Sequence, residues 1–374
     1  MFTTKIAIPD YPANLPELIR LEAEADPHGP VPAAVLVFET ETSGWFQMGG
    51  ESFEVRSTEI RSLIGDVVLV NRERGVGERL VRRRSEHNTL LITERCDQLC
   101  VMCSQPPKEY ELNLFAHYRE ALAHAAPGAI IGISGGEPLL YKSELLKLIA
   151  DTRQRRPDIA FHVLTNGQHL EEADIPLLAS LLHDRLRFAV PLYADAPELH
   201  DKIVAKPGAF LRALEGIRVL MEAGVEVEIR TVLMRPNAAS LPDIARFIAW
   251  TIPDIAHWAI MQMEYIGFAR KNWETLFFDH SLDELPLRAA LTITRQHGIE
   301  TLFYNMPLCT LHTDLRSYAP PTISDWKRKF LDLCDGCKVR SDCAGFFAWQ
   351  SRDKTFQNLG PLPGLDMDIR CVSS

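Results

Sequence analysis

Three of the chain's eight cysteines, Cys96, Cys100 and Cys103, crowd into 94-ERCDQLCVMCSQPP-107 at C-x3-C-x2-C spacing. Thiolates bind zinc and iron. A structural zinc takes four ligands, usually from C-x2-C pairs, and an iron–sulfur cluster normally takes four thiolates. Three thiolates in one loop leave one iron of a [4Fe–4S] cluster open to a substrate or cofactor, as the open position of a catalytic zinc does. A zinc ion completed by a distant His or Cys is the other chemistry this spacing permits. A second group, Cys309, Cys334, Cys337 and Cys343, reads C-x24-C-x2-C-x5-C. Four ligands close a site, and spacing alone does not choose between zinc and a closed [4Fe–4S] cluster. The eighth cysteine, Cys371, sits in 369-IRCVSS-374 and reads as a free thiol on a tail.

These thiols need a scaffold. Candidate strands are 89-TLLITE-94, 129-AIIGIS-134, 160-AFHVLTN-166, 187-RFAVPL-192, 225-VEVEIRTVL-233 and 257-HWAIMQME-264. Helical periodicity falls near 112–126, 142–155, 172–183, 208–222, 240–251 and 284–297. Strands alternating with helices predict an α/β fold, a parallel sheet with right-handed crossovers, buried on both faces. Periodicity does not separate a partial barrel from a doubly wound sheet, but both place a site at the carboxyl ends of the strands. Cys96 follows the first of these strands. Residues 1–85 lack the rhythm: 34-AVLVFE-39, 53-FEVR-56 and 66-DVVLVN-71 predict a small mixed or β-rich element. An exposed strand edge there could recruit a peptide by β-augmentation. Beyond residue 300 the chain is loop-like, then Cys-rich. The expected domains are therefore 1–85, 86–298 and 299–374.

Composition excludes some functions. With 40 Lys and Arg against 50 Asp and Glu the net charge is −10, which argues against nucleic acid or an anionic membrane surface as partner. The first twenty residues lack the plan of a signal peptide, and no apolar run approaches the roughly 20 residues that span a bilayer. A cytoplasmic location is expected, where clustered cysteines bind metal rather than pair as disulfides. No Ser/His/Asp set, Walker loop or Rossmann fingerprint occurs.

Two further strand-end motifs accompany the thiols. 133-ISGGEPLL-140 places Gly135 and Gly136 where backbone can approach a ligand closely, with the carboxylate of Glu137 beside them. 164-LTNGQHL-170 places Asn166 at a strand end. Each alone reads equally as a plain turn. In this order with the cysteines, over about residues 88–298, the chain resembles the radical S-adenosylmethionine (SAM) enzymes. That resemblance implies a partial (β/α)6 barrel and a [4Fe–4S] cluster on Cys96, Cys100 and Cys103. SAM would chelate the open iron and be cleaved reductively to a 5′-deoxyadenosyl radical that abstracts hydrogen. It also implies that Gly135, Gly136 and Glu137 line the methionine amine, that Asn166 sits near the ribose and that Arg230 faces the carboxylate. Gln262, Glu264 and Gly267 would line the adenosine site. Many members carry an aromatic residue before the third cysteine; here it is Met102.

The second cysteine group is similar to the SPASM and twitch appendages of many radical SAM enzymes, which implies a single auxiliary [4Fe–4S] cluster and a peptide or protein substrate. NTLLITERC, LCVMCSQPP and the C-terminal C-D-G-C-x5-C-x-G-F-F resemble the HxsC maturases of His-Xaa-Ser peptide systems. That implies a His-Xaa-Ser precursor, a partner radical SAM maturase, a small accessory protein and an electron donor such as flavodoxin or ferredoxin. None of the twelve histidines here is followed by x-Ser, as befits a modifier. His200-Asp201 reads as structural, Trp326, Phe346, Phe347 and Trp349 as a shield for the second group, and His162 and His169 find no partner in sequence. No catalytic side chain is singled out. Two rivals stand: a radical SAM enzyme acting on a small molecule or activating another enzyme, and a zinc-binding interaction protein.

Overall fold

The computed structural model describes residues 5–26, 28–85, 87–109, 113–181 and 185–364, so Cys371 lies outside the described residues. The chain divides into two units, Met1–Thr93 with Tyr110–His162, and Glu94–Glu109 with Val163–Ser374.

The first unit begins with seven strands: β1 (Lys5–Ala7), β2 (Leu18–Glu22), β3 (Ala33–Glu39), β4 (Ser43–Met48), β5 (Glu51–Arg56), β6 (Val67–Asn71) and β7 (Val76–Val81). They form a closed barrel in the order β1-β5-β4-β3-β2-β6-β7. The final antiparallel seam sets Ile6 of β1 opposite Gly77 of β7. Alternation explains the core: Phe46, Phe53 and Val55 point inward with Ile8, Ile19, Leu21 and Val68, all at most 1% exposed. Tyr11 meets Phe53 edge-on at 4.8 Å. Each such side chain stabilises by about 2 kcal/mol on burial. The β-rich expectation for 1–85 thus resolves into a barrel, and its closure removes the free edge that β-augmentation would require. Outside it, Phe38 pairs across the ladder with Trp45, and both are exposed, as is Val37.

After the barrel, β8 (His87–Leu91) and β9 (Ile130–Ser134) pair in parallel, Leu90 opposite Ile133. β10 (Ala160–Leu164) follows them in the sheet. Helices α1 (Phe115–Ala121) and α2 (Lys142–Arg155) complete this unit. α2 buries Leu145, Leu148, Ile149 and Thr152, an i, i+3, i+4, i+7 stripe.

In the second unit the parallel order runs through β11 (Leu186–Pro191), β12 (Glu226–Leu233), β13 (His257–Gln262) and β14 (Thr301–Tyr304). Between and after these strands lie α3 (Ile175–Ser180), α4 (Pro197–Val204), α5 (Ala209–Glu222), α6 (Arg235–Ala238), α7 (Leu241–Thr251), α8 (Gly267–Lys271), α9 (Trp273–Leu276) and α10 (Leu285–Gln296). The six predicted strands are present, and β14 adds a seventh that the six-strand expectation did not contain. It is only four residues long, too short for periodicity to reveal. It is fixed by parallel pairing with β13 and by a Thr301 to Thr294 hydroxyl bond of 2.7 Å to α10. Within the sheet, Trp258 is fully buried and donates to Thr231 Oγ1 at 2.9 Å. The Cys-rich end has little regular structure: β15 (Arg328–Lys329) and β16 (Phe346–Phe347) form a two-residue ladder.

Candidate functional site

In the second unit the cysteine loop is held by backbone bonds. Leu99 N donates to Val204 O at 3.2 Å and Val101 N to Ile203 O at 2.9 Å, so the end of α4 carries the loop's middle. Phe268 N donates to Cys103 O at 2.8 Å, and Asn272 Nδ2 to Val101 O at 2.8 Å. This approach depends on Gly267, with φ +59°, where a Cβ would stand 2.4 Å from Cys103 O. The resemblance implies an adenosine role for Gly267, and its backbone also lies against the third cysteine. Met102 is buried among Tyr193, Met234, Met263 and Trp273.

The three thiols share one locale. Burial pushes the Cys100 thiol well above its ordinary value, and Cys103 and Cys96 push it further. Burial also raises Cys103. Bare thiolates would be costly here, and bonding to a cation removes that cost.

Between the first two cysteines stands Asp97, which sequence reasoning passed over. Its Oδ1 accepts from Asn166 Nδ2 at 2.8 Å, and its Oδ2 lies 3.1 Å from His169 Nε2 and pairs with Lys206 Nζ. Burial alone would raise its carboxyl, but the bonds from His169 and Lys206 outweigh that and hold it well below the usual range. Asn166, expected near a ribose, thus gives Nδ2 to Asp97 and accepts Gln168 N on Oδ1 at 3.0 Å.

Arg230 donates Nε to the fully buried carboxylate of Glu228, and its guanidinium lies 5.8 Å from the Tyr304 ring centroid. Burial pushes Glu264 up to about 7 from 4.5, opposed in part by Lys327 and Arg230. A carboxyl raised in the folded state binds its proton more tightly there than in the unfolded chain. Stability from this group is therefore full below about pH 4.5 and lost as pH rises through 7. Glu264→Gln should shrink the fall in melting temperature between pH 5 and pH 8; an unchanged fall contradicts the assignment. Gln262 Oε1 lies 2.9 Å from His280 Nδ1, and His280 Nε2 lies 2.8 Å from Thr310 Oγ1. Burial lowers His280 to about 3, so this ring is neutral.

In the first unit, Gly135 has φ +154°, and a Cβ there would stand 2.3 Å from Thr93 O. Gly136 N donates to that same oxygen at 2.8 Å. Glu137, 1% exposed, accepts Leu139 N on Oε1 at 2.8 Å and caps the short turn Pro138–Tyr141. His200 and Asp201 have structural work. The His200 ring accepts Tyr193 N at 3.3 Å, and Asp201 accepts Phe210 N at 2.8 Å.

Cys309, Cys334, Cys337 and Cys343 line one cavity with Pro307, Phe330, Val339 and Phe346. Leu308 N and Gly345 N each donate to Cys343 Sγ at 3.4 Å, and Leu362 N donates to Cys337 Sγ at 3.4 Å. Such N–H to sulfur bonds stabilise thiolate ligands and tune iron–sulfur potentials. Phe346 lines the cavity, whereas Phe347 stacks on Trp349 at 5.0 Å in a separate small core with Ile323 and Ala344. Among the described residues, no three His, Cys, Asp or Glu side chains converge tightly enough to hold a single metal ion.

Residues 90–248 match the Radical SAM superfamily. The matched stretch covers less than half of the chain. It contains the three-cysteine loop, the Gly135–Glu137 turn, Asn166 and Arg230. The chain is similar to PqqA peptide cyclase of Gluconobacter oxydans, 27% identical over 66% of this chain and 67% of that one. It is also similar to GTP 3′,8-cyclase of Rhizobium etli, 31% identical over 42% of this chain and 46% of that one. Among solved structures it is similar to Streptococcus suis SuiB bound to precursor peptide SuiA. That match has a TM-score of 0.49 and 13% identity over 60% of this chain and 49% of that chain. The chain thus spans about two thirds of the cyclase's length and about half of SuiB's. No helix among the described residues is long and apolar enough to cross a membrane.

Proposed function

We propose that the chain is a radical SAM enzyme that modifies a peptide or protein side chain. The observation that carries it is the loop of Cys96, Cys100 and Cys103, three cysteines at C-x3-C-x2-C spacing inside the stretch that matches the Radical SAM superfamily. A [4Fe–4S] cluster there with SAM bound would supply one-electron cleavage of the sulfonium and a 5′-deoxyadenosyl radical that abstracts hydrogen. The chain's residues would hold and orient SAM. Gly135, Gly136 and Glu137 are assigned to the amine, Arg230 to the carboxylate, Asn166 to the ribose, and Gln262, Glu264 and Gly267 to the adenosine. The Arg230 charge favours a carboxylate, and the closely packed Gly135 backbone suits a turn that presents carbonyl groups.

A second [4Fe–4S] cluster on Cys309, Cys334, Cys337 and Cys343 is supported by their common cavity and by the three N–H to sulfur bonds. Tetrahedral zinc draws four sulfurs to within about 2.3 Å of one centre. Iron and zinc analysis of the purified protein therefore decides between the two metals.

The peptide substrate is supported by the kinship with a peptide cyclase. A His-Xaa-Ser precursor, a partner maturase, a small accessory protein and a flavodoxin or ferredoxin as donor belong to the same proposal, by the HxsC resemblance. Docking on residues 1–85 would use Val37, Phe38 and Trp45 on the outer barrel wall rather than a strand edge. The likeness to GTP 3′,8-cyclase keeps a small-molecule substrate as the second reading. The test is anaerobic reaction of reduced protein and SAM with a His-Xaa-Ser peptide and, separately, with GTP, each followed by mass spectrometry. A mass change in the peptide alone is expected; a change in the nucleotide alone would overturn the peptide assignment.

A further inference from the structure

We infer that Asp97, together with Lys206 and His169, positions the first half of the cysteine loop and balances its charge. The inference rests on the reading of Cys96, Cys100 and Cys103 as cluster ligands, and extends it to a carboxylate that is not itself a ligand.

Asp97 directly follows Cys96, yet its partners Asn166, His169 and Lys206 come from far along the chain. Asn166 and His169 follow β10, at 2.8 Å and 3.1 Å, and Lys206 follows α4. The loop's second half has backbone anchors, at Leu99, Val101 and Cys103. The Asp97 side chain gives the first half a comparable tie to the end of β10. Its side chain is only 25% exposed, and that of Lys206 24%, so water screens the pair incompletely.

The charges have a second consequence. A carboxylate in the same short loop as three thiolates repels them unless a cation stands beside it, and Lys206 is that cation. Reducing a cluster adds one negative charge, so its potential responds to any unbalanced charge nearby. Asp97→Asn removes a negative charge and leaves the Lys206 ammonium unbalanced, which favours the reduced state. Lys206→Met leaves the Asp97 carboxylate unbalanced, which favours the oxidised state.

The experiment uses full-length, anaerobically reconstituted wild type, Asp97→Asn and Lys206→Met, and reads two quantities other than turnover. The first is the rate at which a chelator strips iron, which should rise about ten-fold in both variants as a ligand-orienting contact is lost. The second is the midpoint potential of the loop's cluster, followed by electron paramagnetic resonance. It should rise in Asp97→Asn and fall in Lys206→Met, opposite signs that general loosening does not produce. Far-ultraviolet circular dichroism of both variants checks that the fold survives. Iron retention equal to wild type, or potentials that stay fixed or move in the same direction, would overturn the inference while leaving the cluster reading intact. A Cys100→Ala variant that keeps all the iron of wild type would remove the reading beneath it as well.

Discussion

Cys100→Ala should lose about four irons while keeping its fold. The Cys100 thiol is mostly buried, and burial together with the neighbouring thiols raises its pKa, so as a free thiol it stays protonated and neutral. A cluster bound through only Cys96 and Cys103 would have two of its three protein ligands, too few to hold it through purification. The apolar surroundings tolerate alanine: Cys100 packs against a core that contains Tyr193, Met234 and Trp273. Iron analysis and circular dichroism on the same sample check both halves. A variant with undiminished iron contradicts the assignment of this loop.

The second large effect belongs to the other cysteines. Wild type should carry about eight irons, four for each [4Fe–4S] cluster, and joint replacement of Cys334, Cys337 and Cys343 by alanine should halve that. The remaining four belong to the first loop. Loss of the second cluster should also loosen the local chain. Residues 332–364 contain only short turns and a two-residue strand, and their bonds to Cys337 and Cys343 sulfurs are part of what orders them. Faster proteolysis confined to this region is the accompanying expectation. Wild type with about four irons and one zinc would instead make the second group a zinc site.

Much of the sheet was legible because its strands are apolar runs separated by helical periodicity. Leu90, Ile133 and Trp258 all lie in predicted strands and are buried. Closure of the N-terminal barrel was not legible. It depends on β1 meeting β7, a pairing no local pattern encodes, with Ile6 opposite Gly77. The cysteine groups stood out through spacing alone. Asp97 did not, since its partners are 69 and 109 residues away at Asn166 and Lys206. His169 had no partner in sequence for the same reason. Gly267 was noticed for its place after a strand, but its close approach to Cys103 O is a property of the folded backbone.

The most direct measurement of the central claim is chromatographic detection of 5′-deoxyadenosine after reduced, anaerobic wild-type protein meets SAM. The account predicts its formation together with methionine by wild type, and none by Cys100→Ala. Equal yields from the two proteins, or no 5′-deoxyadenosine from an iron-replete wild type supplied with electrons and its peptide, would contradict it.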